Sequence, residues 1–382
     1  MQAVMDGAAI SAGRWLTGPL GDRLSRQIER ILSQPHVVRI AVMPDVHEGL
    51  NVPNGVVVAT RRLIYPEMVG ADIGCGLAAL RFAAHADDLS DSHLRKILQL
   101  LASLVPTLKQ PAGRANQHLS SIESLGTLSC DRLTHEAARD GRYQLGTLGR
   151  GNHFLELARD DAGDVWAVVH TGSRAMGQAI TAHHLSKASS SSGCLPFLDL
   201  DSPPGQAYFD DMVWGCQYAR ANRLMILNAL ADILEVHHAI KVDMASYIDC
   251  PHNFAGMEVH GGEMLLIHRK SANAAMAGSL GLIAGSMAAG TRIVVGLGNQ
   301  ESLCSSSHGA GRAMSRTEAS QRIASRDLKG MMRGVVYHDE WAGRFRDEAP
   351  QAYKDFHNVM RAQRSLVRTE RTLLPILNDK RP

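Results

Sequence analysis

The stretch that most constrains this chain is the loop Asp72-Ile73-Gly74-Cys75-Gly76. It places a carboxylate and a thiol three residues apart, and its glycines let the backbone approach closely. Such a pair can bind one metal ion, or two adjacent ions if the thiolate bridges them, whereas the alternative is an inert buried thiol. The other ligands would be histidines in short Gly- or Asn-bearing phrases, namely His153, His170, His252 and His308. Because these come from both halves of the chain, a metal site requires the halves to converge, which favours one interwoven domain over residues 1–382.

Apolar and β-branched runs predict strands, and apolar residues at helical spacing predict helices. Strands are expected at 37–42, 55–59, 77–82 and 165–169, and helical segments at 27–32, 90–140, 206–237 and 351–372. Pro44 and Gly49 are expected to end the first strand before the phrase that contains His47. Residues 189–193 are expected to form a loop.

The formal net charge of +2 excludes a global basic excess, so a nucleic-acid site would have to be a local patch. Arginines do concentrate locally, at Arg312, Arg316, Arg322 and Arg326. The sequence has no apolar run of signal-peptide or membrane-spanning type, and its six cysteines are dispersed. We therefore expect a cytoplasmic protein without a membrane segment or disulfides.

Three glycine-bearing phrases resemble anion-binding loops: 151–153, 285–287 and 308–312. Glycines allow backbone N–H groups to point at phosphate oxygens, and Arg312 can add charge-assisted hydrogen bonds. Each phrase alone is more typical of a turn, but together with the metal loop they suggest a nucleotide with two or more phosphates. His308, expected to be exposed, could be a metal ligand, a base or a nucleophile toward a phosphoryl group.

The remaining histidines are interpreted more conservatively. His47 is either close to the substrate or a locally hydrogen-bonded loop residue. The pair at 237–238 lies at the end of a predicted helix, where the helix dipole favours cations. The pair at 183–184 is expected on the surface.

These phrases together resemble the RtcB family of RNA ligases, from about residue 37 to the last residues. The similarity is carried, in chain order, by Met43-Pro44-Asp45-Val46-His47, Val69-Gly70-Ala71-Asp72-Ile73-Gly74-Cys75-Gly76, Leu145-Gly146-Thr147-Leu148-Gly149, Gly151-Asn152-His153-Phe154, His170-Thr171-Gly172-Ser173-Arg174, His252-Asn253, Gly285-Ser286-Met287, Gly296-Leu297-Gly298-Asn299 and His308-Gly309-Ala310-Gly311-Arg312-Ala313-Met314-Ser315-Arg316. The order and number of the phrases make the resemblance specific for the family.

The resemblance implies a mixed α/β (α+β) fold, with central sheets around a metal cleft and flanking helices. It implies joining of an RNA 2′,3′-cyclic phosphate or 3′-phosphate end to a 5′-hydroxyl end, with GTP and two Mn²⁺ ions. Cys75 would bridge the metals, His153 and His170 would complete one, and Asp72 and His252 the other. His308 would be the nucleophile that takes GMP and passes it to the RNA 3′-phosphate. Metal-activated water would first open a cyclic phosphate. Guanylate contacts would fall on Asn152, His153, Glu156, His252, Asn253, Ala284, Gly285, Ser286, Met287, Thr291, His308, Gly309, Ala310, Gly311 and Lys380.

The sequence departs from the family pattern where substrate would be held. The usual Gly-x-Gly-x-Pro-Ile-Gly is Gly49-Leu50-Asn51-Val52-Pro53-Asn54-Gly55, the usual Arg-Lys-Gly-Ala is Arg269-Lys270-Ser271-Ala272, the usual Pro-Gly-Ser-Met-Gly is Ala284-Gly285-Ser286-Met287-Ala288, and the usual His-Ser-Gly-Ser-Arg has Thr171. The metal and nucleophile positions are intact. The chain is shorter than many members and is similar to the divergent bacterial branch associated with a release-factor-like protein, which implies damaged rRNA or tRNA as the target.

Three functions follow from this sequence, and the ligase is favoured. The alternative is a metal-dependent phosphoesterase that opens cyclic phosphates without sealing, and the third is a non-catalytic RNA- or ribosome-binding protein. By resemblance we expect a monomer, with an accessory activator protein as a further partner.

Overall fold

The structure is a computed structural model. It describes residues 4–5, 8–9, 11–190 and 193–382. Two residues of the loop expected at 189–193, at 191 and 192, lie outside these residues. The β-strands are β1 (Val4–Met5), β2 (Ala8–Ala9), β3 (Ser11–Arg14), β4 (Val37–His47), β5 (Asn54–Thr60), β6 (Leu63–Ile64), β7 (Gly76–His85), β8 (Phe154–Arg159), β9 (Asp164–Thr171), β10 (Leu198–Asp199), β11 (Val242–Pro251), β12 (Asn253–His260), β13 (Glu263–Lys270), β14 (Ala272–Ala274), β15 (Leu280–Ala284), β16 (Thr291–Gly296), β17 (Ser305–Ser307), β18 (Val336–Tyr337) and β19 (Val367–Asp379).

Helices separate the strands and cover the sheets. The α-helices are α1 (Asp22–Leu32), α2 (Pro66–Val69), α3 (Asp91–Leu104), α4 (Ala112–Gln117), α5 (Leu119–Glu123), α6 (Asp131–Glu136), α7 (Arg142–Gln144), α8 (Arg174–Leu185), α9 (Pro203–His238), α10 (Arg316–Arg322), α11 (Ser325–Met331) and α12 (Phe356–Ala362). A π-helical turn covers Ala137–Gly141, and 3-10 turns cover Ala86–Asp88, Asp339–Arg344, Arg346–Glu348 and Pro350–Ala352. The expected mixed α/β architecture is confirmed.

The largest sheet runs in the order β11-β7-β9-β8-β19-β16-β15, with β18 parallel beside β19. On one face, Leu80 of β7 and Val169 of β9 pack in one buried cluster with Ile226 of α9. On the other face, Leu77 of β7 packs with Leu282 of β15, although these strands are distant in the sheet order. The sheet is therefore curled and buried on both faces.

A second sheet has the order β12-β13-β5-β4-β3. Its outer side is covered by α1, whose Ile28 and Ile31 share a buried cluster with Ile40 of β4. The two sheets join at residue 252, because β11 ends at 251 and β12 begins at 253. The short ladder of β14 and β17 lies close to this junction, since Ala272 N donates to His252 O (3.1 Å).

The antiparallel registers bring the metal-ligand candidates to one edge of the large sheet. Cys75 directly precedes β7 and His153 directly precedes β8, while His170 lies near the end of β9 and His252 directly follows β11. In the ladders, Leu77 and Phe154 both face His170, and Pro251 pairs with Gly76. Starts and ends of alternating antiparallel strands share an edge, so these distant residues become neighbours.

The long helix α9 confirms the prediction at 206–237. Ser202 Oγ accepts a hydrogen bond from Gly205 N (3.3 Å) at its start, and Pro203 takes the first position, where no N–H is needed. It ends at the left-handed residue Ala239 (φ 55°), after the two histidines expected in its last turn. The strands expected at 37–42, 55–59, 77–82 and 165–169 are β4, β5, β7 and β9.

Two expectations about elements are wrong. The helix expected at 351–372 is only α12, and the chain then enters β19, which pairs with β8 and β16. The long-range pairing of this β-branched segment overrides its helical spacing. The strand β4 also continues to His47 through Pro44, because its pairing with β5 shifts between Val42 and His47 and Pro44 has no ladder bond to donate.

Candidate metal and nucleotide site

Five side chains from four segments converge at the sheet edge. Cys75 Sγ lies 3.6 Å from His153 Nε2 and 3.4 Å from His170 Nε2. His153 Nε2 lies 3.1 Å from Asp72 Oδ2, and His170 Nε2 lies 3.3 Å from His252 Nε2. Two sets of three donors, each within 4.8 Å, share the thiol: Asp72, Cys75 and His153, and Cys75, His170 and His252. The structure thus brings together the five residues that the resemblance implies as metal ligands, while their division between two ions stays a prediction.

Backbone carbonyls orient two of the imidazoles. His153 Nδ1 donates to Leu148 O (3.1 Å), and His170 Nδ1 donates to Asn152 O (3.1 Å). A neutral imidazole with a proton on Nδ1 carries its lone pair on Nε2. Both lone pairs therefore point toward Cys75, as in metal sites whose ligands are held from behind.

The chemistry of the donors in this cluster can be compared with that of a metal site. Burial raises the pKa of the Cys75 thiol well above its usual range, and burial lowers the pKa of His170 and His252 well below theirs, with neighbouring histidines adding to the effect. Among the described residues, the buried atoms Asp72 Oδ1 and His252 Nδ1 have no hydrogen-bond partner. Facing lone pairs, a buried thiol and an unpartnered carboxylate oxygen fit a divalent cation of the Mn, Fe, Co or Zn type.

The loop that carries Asp72 and Cys75 packs directly on α9. Gly74 has φ 68°, and a Cβ there would lie 2.7 Å from Cys216 Cα. Gly74 N also donates to Asn253 O (2.7 Å), which ties the loop to the segment after His252. Glycine is required here because both the conformation and the space exclude a side chain.

His308 lies beside this cluster, with its ring centroid 4.6 Å from that of His252. Its side chain is only 14% exposed, so the expected exposure is wrong. Its Nδ1 donates to Asp45 Oδ2 (2.7 Å), and the same oxygen accepts from the backbone N–H groups of His308 (3.2 Å) and Gly309 (3.4 Å). Asp45 is fully buried, and Gly311 (φ 70°) closes over it, since a Cβ there would lie 2.1 Å from Asp45 O. With its Nδ1 proton donated to the carboxylate, the His308 ring carries its lone pair on Nε2.

A second group of polar residues lines the same cleft. Glu156 accepts hydrogen bonds from Thr291 Oγ1 (3.1 Å) and Asn378 Nδ2 (3.2 Å), and burial raises its pKa to about 8. Lys380 Nζ lies 2.9 Å from Glu348 Oε2, and both side chains are buried. A buried carboxyl group and a buried lysine amine can bind the polar edge of a base and a phosphate.

One cavity of about 910 Å³ connects these groups. It is lined by the predicted residues Asp72, Cys75, Asn152, Glu156, His170, His252, Asn253, Ala284, Gly285, Ser286, Met287, Thr291, His308, Gly309, Ala310, Gly311 and Lys380. His153 lies on the neighbouring side, in a cavity of about 610 Å³ that also touches Asp72 and Asn152. All the predicted site residues are therefore around two adjoining cavities.

Sequence reasoning missed several residues of this site. Asp45 belongs to a phrase that carries the family resemblance, but the sequence suggests a role near the substrate only for His47 of that phrase, beside the alternative of a locally hydrogen-bonded loop residue. Asn378 and Tyr353 also line the cavity, and Tyr353 Oη donates to Glu348 (2.6 Å). No motif marks Glu348, which lies in a 3-10 turn, so the sequence held no signal for it.

The basic and histidine segments differ in part from expectation. The four clustered arginines each have an acidic neighbour: Arg312 with Glu348, Arg316 with Asp347 and Glu348, Arg322 with Glu318, and Arg326 with Asp327. The surface position expected for 183–184 is wrong for His184, which is fully buried and bonded to Asp211 (2.7 Å). A buried imidazole needs such a partner, and the fold supplies it from α9.

A family model for the tRNA-splicing ligase RtcB matches residues 27–381. The chain belongs to the RtcB family. Among RtcB relatives, it is 35% identical over 393 residues to the RNA-splicing ligase RtcB of Escherichia coli K12, and the match covers 95% of each chain. It is 28% identical to the tRNA-splicing ligase RtcB of Thermococcus kodakarensis, over 89% of this chain and 86% of the relative. The RNA-splicing ligase RtcB of Mycobacterium tuberculosis is 26% identical, with 92% and 99% covered.

The RtcB match includes every part of the site described above. None of the helices in the described part of the chain is both long and apolar enough to span a membrane.

Proposed function

We propose that this protein is an RNA ligase that joins a 2′,3′-cyclic phosphate or 3′-phosphate end to a 5′-hydroxyl end, using GTP and two Mn²⁺ ions. The family and the names of its relatives support the ligase class. The observation that carries the proposal is the placement of His308, held by Asp45, in the same cavity as the metal-ligand cluster. The convergence of residues from both halves of the chain on this cavity supports a single domain over 1–382.

In this proposal His308 Nε2 attacks the α-phosphorus of GTP. An N–P bond forms, the bond to the bridging oxygen breaks, and pyrophosphate leaves. Asp45 holds the Nδ1 proton and balances the charge that develops on the ring, a role that suits a buried carboxylate. The other ring nitrogen is then free to bind phosphorus without a competing proton.

GMP next passes from His308 to an oxygen of the RNA 3′-phosphate. The 5′-hydroxyl attacks this phosphorus, loses its proton and displaces GMP, while a cyclic phosphate is first opened by water. Two Mn²⁺ ions on Asp72, Cys75, His153, His170 and His252 would neutralise phosphate charge and favour in-line attack.

Glu156, Lys380 and their neighbours in the cavity are proposed to hold the guanylate. Glu156 would accept from the N–H groups of the guanine edge, and Lys380 would bring a positive charge to the site. The segments at 284–287 and 309–311 would hold the phosphates through backbone N–H groups. The accessory activator, the monomeric and cytoplasmic state and the damaged-RNA branch remain predictions from the resemblance.

The test is labelling of the protein with GTP carrying a labelled α-phosphate, in Mn²⁺, followed by denaturation. An acid-labile, base-stable adduct that is lost in His308→Ala is expected. His237→Ala, an exposed histidine at the end of α9, is the matched control and should keep the label. The protein could instead open cyclic phosphates without GTP, while showing neither a labelled adduct nor joined RNA. That result would replace the ligase proposal by the phosphoesterase.

A further inference from the structure

Three polar side chains form a line of hydrogen bonds on the wall of the larger cavity. His47 Nδ1 donates to the backbone carbonyl of Asp45 (2.9 Å), which makes Nε2 the acceptor of the ring. Asn54 Nδ2 donates to His47 Nε2 (3.2 Å), and Ser271 Oγ donates to Asn54 Oδ1 (3.3 Å). The carbonyl of Asp45 thus determines which atom is the donor and which the acceptor in each of these hydrogen bonds. Ser271 has used its only hydroxyl proton, so its oxygen can offer the cavity lone pairs alone.

The protonation state of His47, the titratable group of this line, does not change near neutral pH. Burial lowers the pKa of His47 to about 4, so the ring is neutral there. A neutral ring with a proton on Nδ1 keeps Nε2 as an acceptor for Asn54.

Ser271 is held firmly in the wall of the larger cavity. It has φ 55°, a conformation that a serine rarely adopts, and its N–H donates to Asn253 Oδ1 (2.8 Å). Asn253 Nδ2 in turn donates to the carbonyl of Asp72 (3.0 Å). The serine is therefore tied to the loop that carries the metal ligands.

The β14–β17 ladder places Ser271 next to the nucleophile. Ala272 pairs with Ser307 in this antiparallel ladder. Ser271 precedes the first of these residues and His308 follows the second, so both leave the same end of the ladder. Ser271 and His308 also line the same cavity.

This line of hydrogen bonds depends on two of the departures from the family pattern. The chain has Asn54 and Ser271 at positions where the family resemblance implies isoleucine and glycine. Neither isoleucine nor glycine has a polar side chain, so the usual residues cannot build it. The left-handed conformation at 271 suits glycine, and this chain keeps a serine there all the same.

We infer that Ser271 Oγ accepts a hydrogen bond from the 5′-hydroxyl of the RNA strand that is to be joined, and that His47 and Asn54 position it for this contact. The inference rests on the proposed ligase function. Phosphate oxygens only accept hydrogen bonds, so an acceptor on this wall disfavours them, whereas a hydroxyl can donate. Ribose hydroxyls share this chemistry, but the 5′-hydroxyl is the one that must reach the phosphorus beside His308. The same contact would select 5′-hydroxyl over 5′-phosphate ends.

The direct test compares two RNA strands that differ only at the 5′ end, one with a 5′-hydroxyl and one with a 5′-deoxy end. Binding of each is measured to the Mn²⁺-loaded protein and to the variant Ser271→Gly, which suits the local conformation. The unaltered protein should bind the 5′-hydroxyl strand roughly three- to tenfold more tightly, as expected for one hydrogen bond, and Ser271→Gly should lose this preference. Ala239→Gly, which relieves a left-handed residue at the exposed end of α9, is the matched control and should keep it.

A second measurement separates the steps. In Ser271→Gly, labelling of His308 by GTP should stay within about twofold, while sealing to the 5′-hydroxyl strand falls roughly three- to tenfold. An unchanged preference for the 5′-hydroxyl strand would overturn the inference, and so would a loss shared equally by GTP labelling. If the loss of sealing in Ser271→Gly disappears when 2′-deoxy- or 3′-deoxy-GTP replaces GTP, the contact belongs to a ribose hydroxyl instead. Absence of label and sealing in the unaltered protein would refute the ligase proposal, while the comparison of strand binding would still decide the role of Ser271.

Discussion

A single buried guanidinium joins the parts of the metal-ligand cluster, and its removal has a large predicted effect. Arg223 of α9 is fully buried. Its Nε and Nη2 donate to the two oxygens of Asp249 on β11 (2.6 and 3.0 Å), and its Nη1 donates to Gly74 O (2.7 Å) and Thr171 O (3.0 Å). Burial opposes the charge, yet the partner Asp249 raises the pKa of the guanidinium, so it is ionised.

Arg223→Met would leave a mostly buried carboxylate and two carbonyls without their donor. Loss of one partner of a buried ion pair costs about 3–5 kcal/mol. The hydrogen bonds to the two carbonyls each contribute about 1 kcal/mol, but they share their donor group with the ion pair. These contributions are therefore not additive, and the expected loss in the free energy of unfolding stays at about 3–5 kcal/mol. Because domains are stable by only about 5–15 kcal/mol, this is a large fraction of the stability.

The assay is urea unfolding followed by circular dichroism, with Arg81→Met as the matched control. Arg81 pairs with Asp164 (3.4 Å) and Asp243 (2.8 Å) on the neighbouring strands of the same sheet, but its side chain is 39% exposed. Exposed pairs contribute little, so its unfolding midpoint should stay within experimental error. Mn²⁺ affinity of the folded Arg223→Met protein should also fall about 10–100-fold, because the loop at Gly74 loses its support.

Equal shifts of the midpoint in both variants would refute this reasoning. They would mean that burial does not decide the strength of the pair. An unchanged Mn²⁺ affinity in folded Arg223→Met would separately refute the role of the arginine in supporting the loop.

Further predictions concern the nucleophile, the metal and the guanylate. Asp45→Asn keeps an oxygen that can accept from His308 Nδ1 but loses the charge, so the rate of labelling by GTP should fall about 10–100-fold with little change in Mn²⁺ affinity, measured by titration. An unchanged rate would exclude Asp45 as the orienting group. Mn²⁺ should raise the melting temperature of the unaltered protein, whereas Cys75→Ala should show little rise, and equal shifts would place the metal elsewhere. The buried carboxyl of Glu156, with a pKa raised to about 8, is mostly protonated at pH 7. GTP binding that requires its ionised form should therefore release about one proton at pH 7 and none in Glu156→Gln, measured by calorimetry in buffers of different ionisation enthalpy. Since this pKa exceeds the ordinary value of a free carboxyl, the group also stabilises the unliganded fold at low pH, and that contribution is lost as pH rises from about 4.5 to about 8.

Short-range information in the sequence was sufficient to find the candidate metal ligands and the candidate anion-binding loops. The carboxylate and thiol at 72–75, the histidines in glycine-bearing phrases and the loops at 285–287 and 308–312 are local patterns, and each can be read without a fold. The same holds for α9, whose cap, proline and apolar spacing all lie within one segment. The family resemblance added roles to these residues, and the structure places all of them around two adjoining cavities.

Long-range pairing decided what the local pattern could not. The spacing at 351–372 predicts a helix that would include the start of β19, and only the pairing of β19 with β8 and β16 makes that part a strand. The partner of His184 is Asp211 on another helix, so its burial could not be foreseen from the pair of histidines at 183–184.

The relation between Asp45 and His308 shows the same division most clearly. The sequence determined that an acid and a histidine lie in two phrases far apart in the chain, but not that they touch. The tertiary structure brings β4 and the end of β17 together, so that one carboxylate oxygen holds the histidine ring. Which atom of a side chain faces which partner depends on backbone contacts between distant segments, and no local pattern in the sequence contains that information.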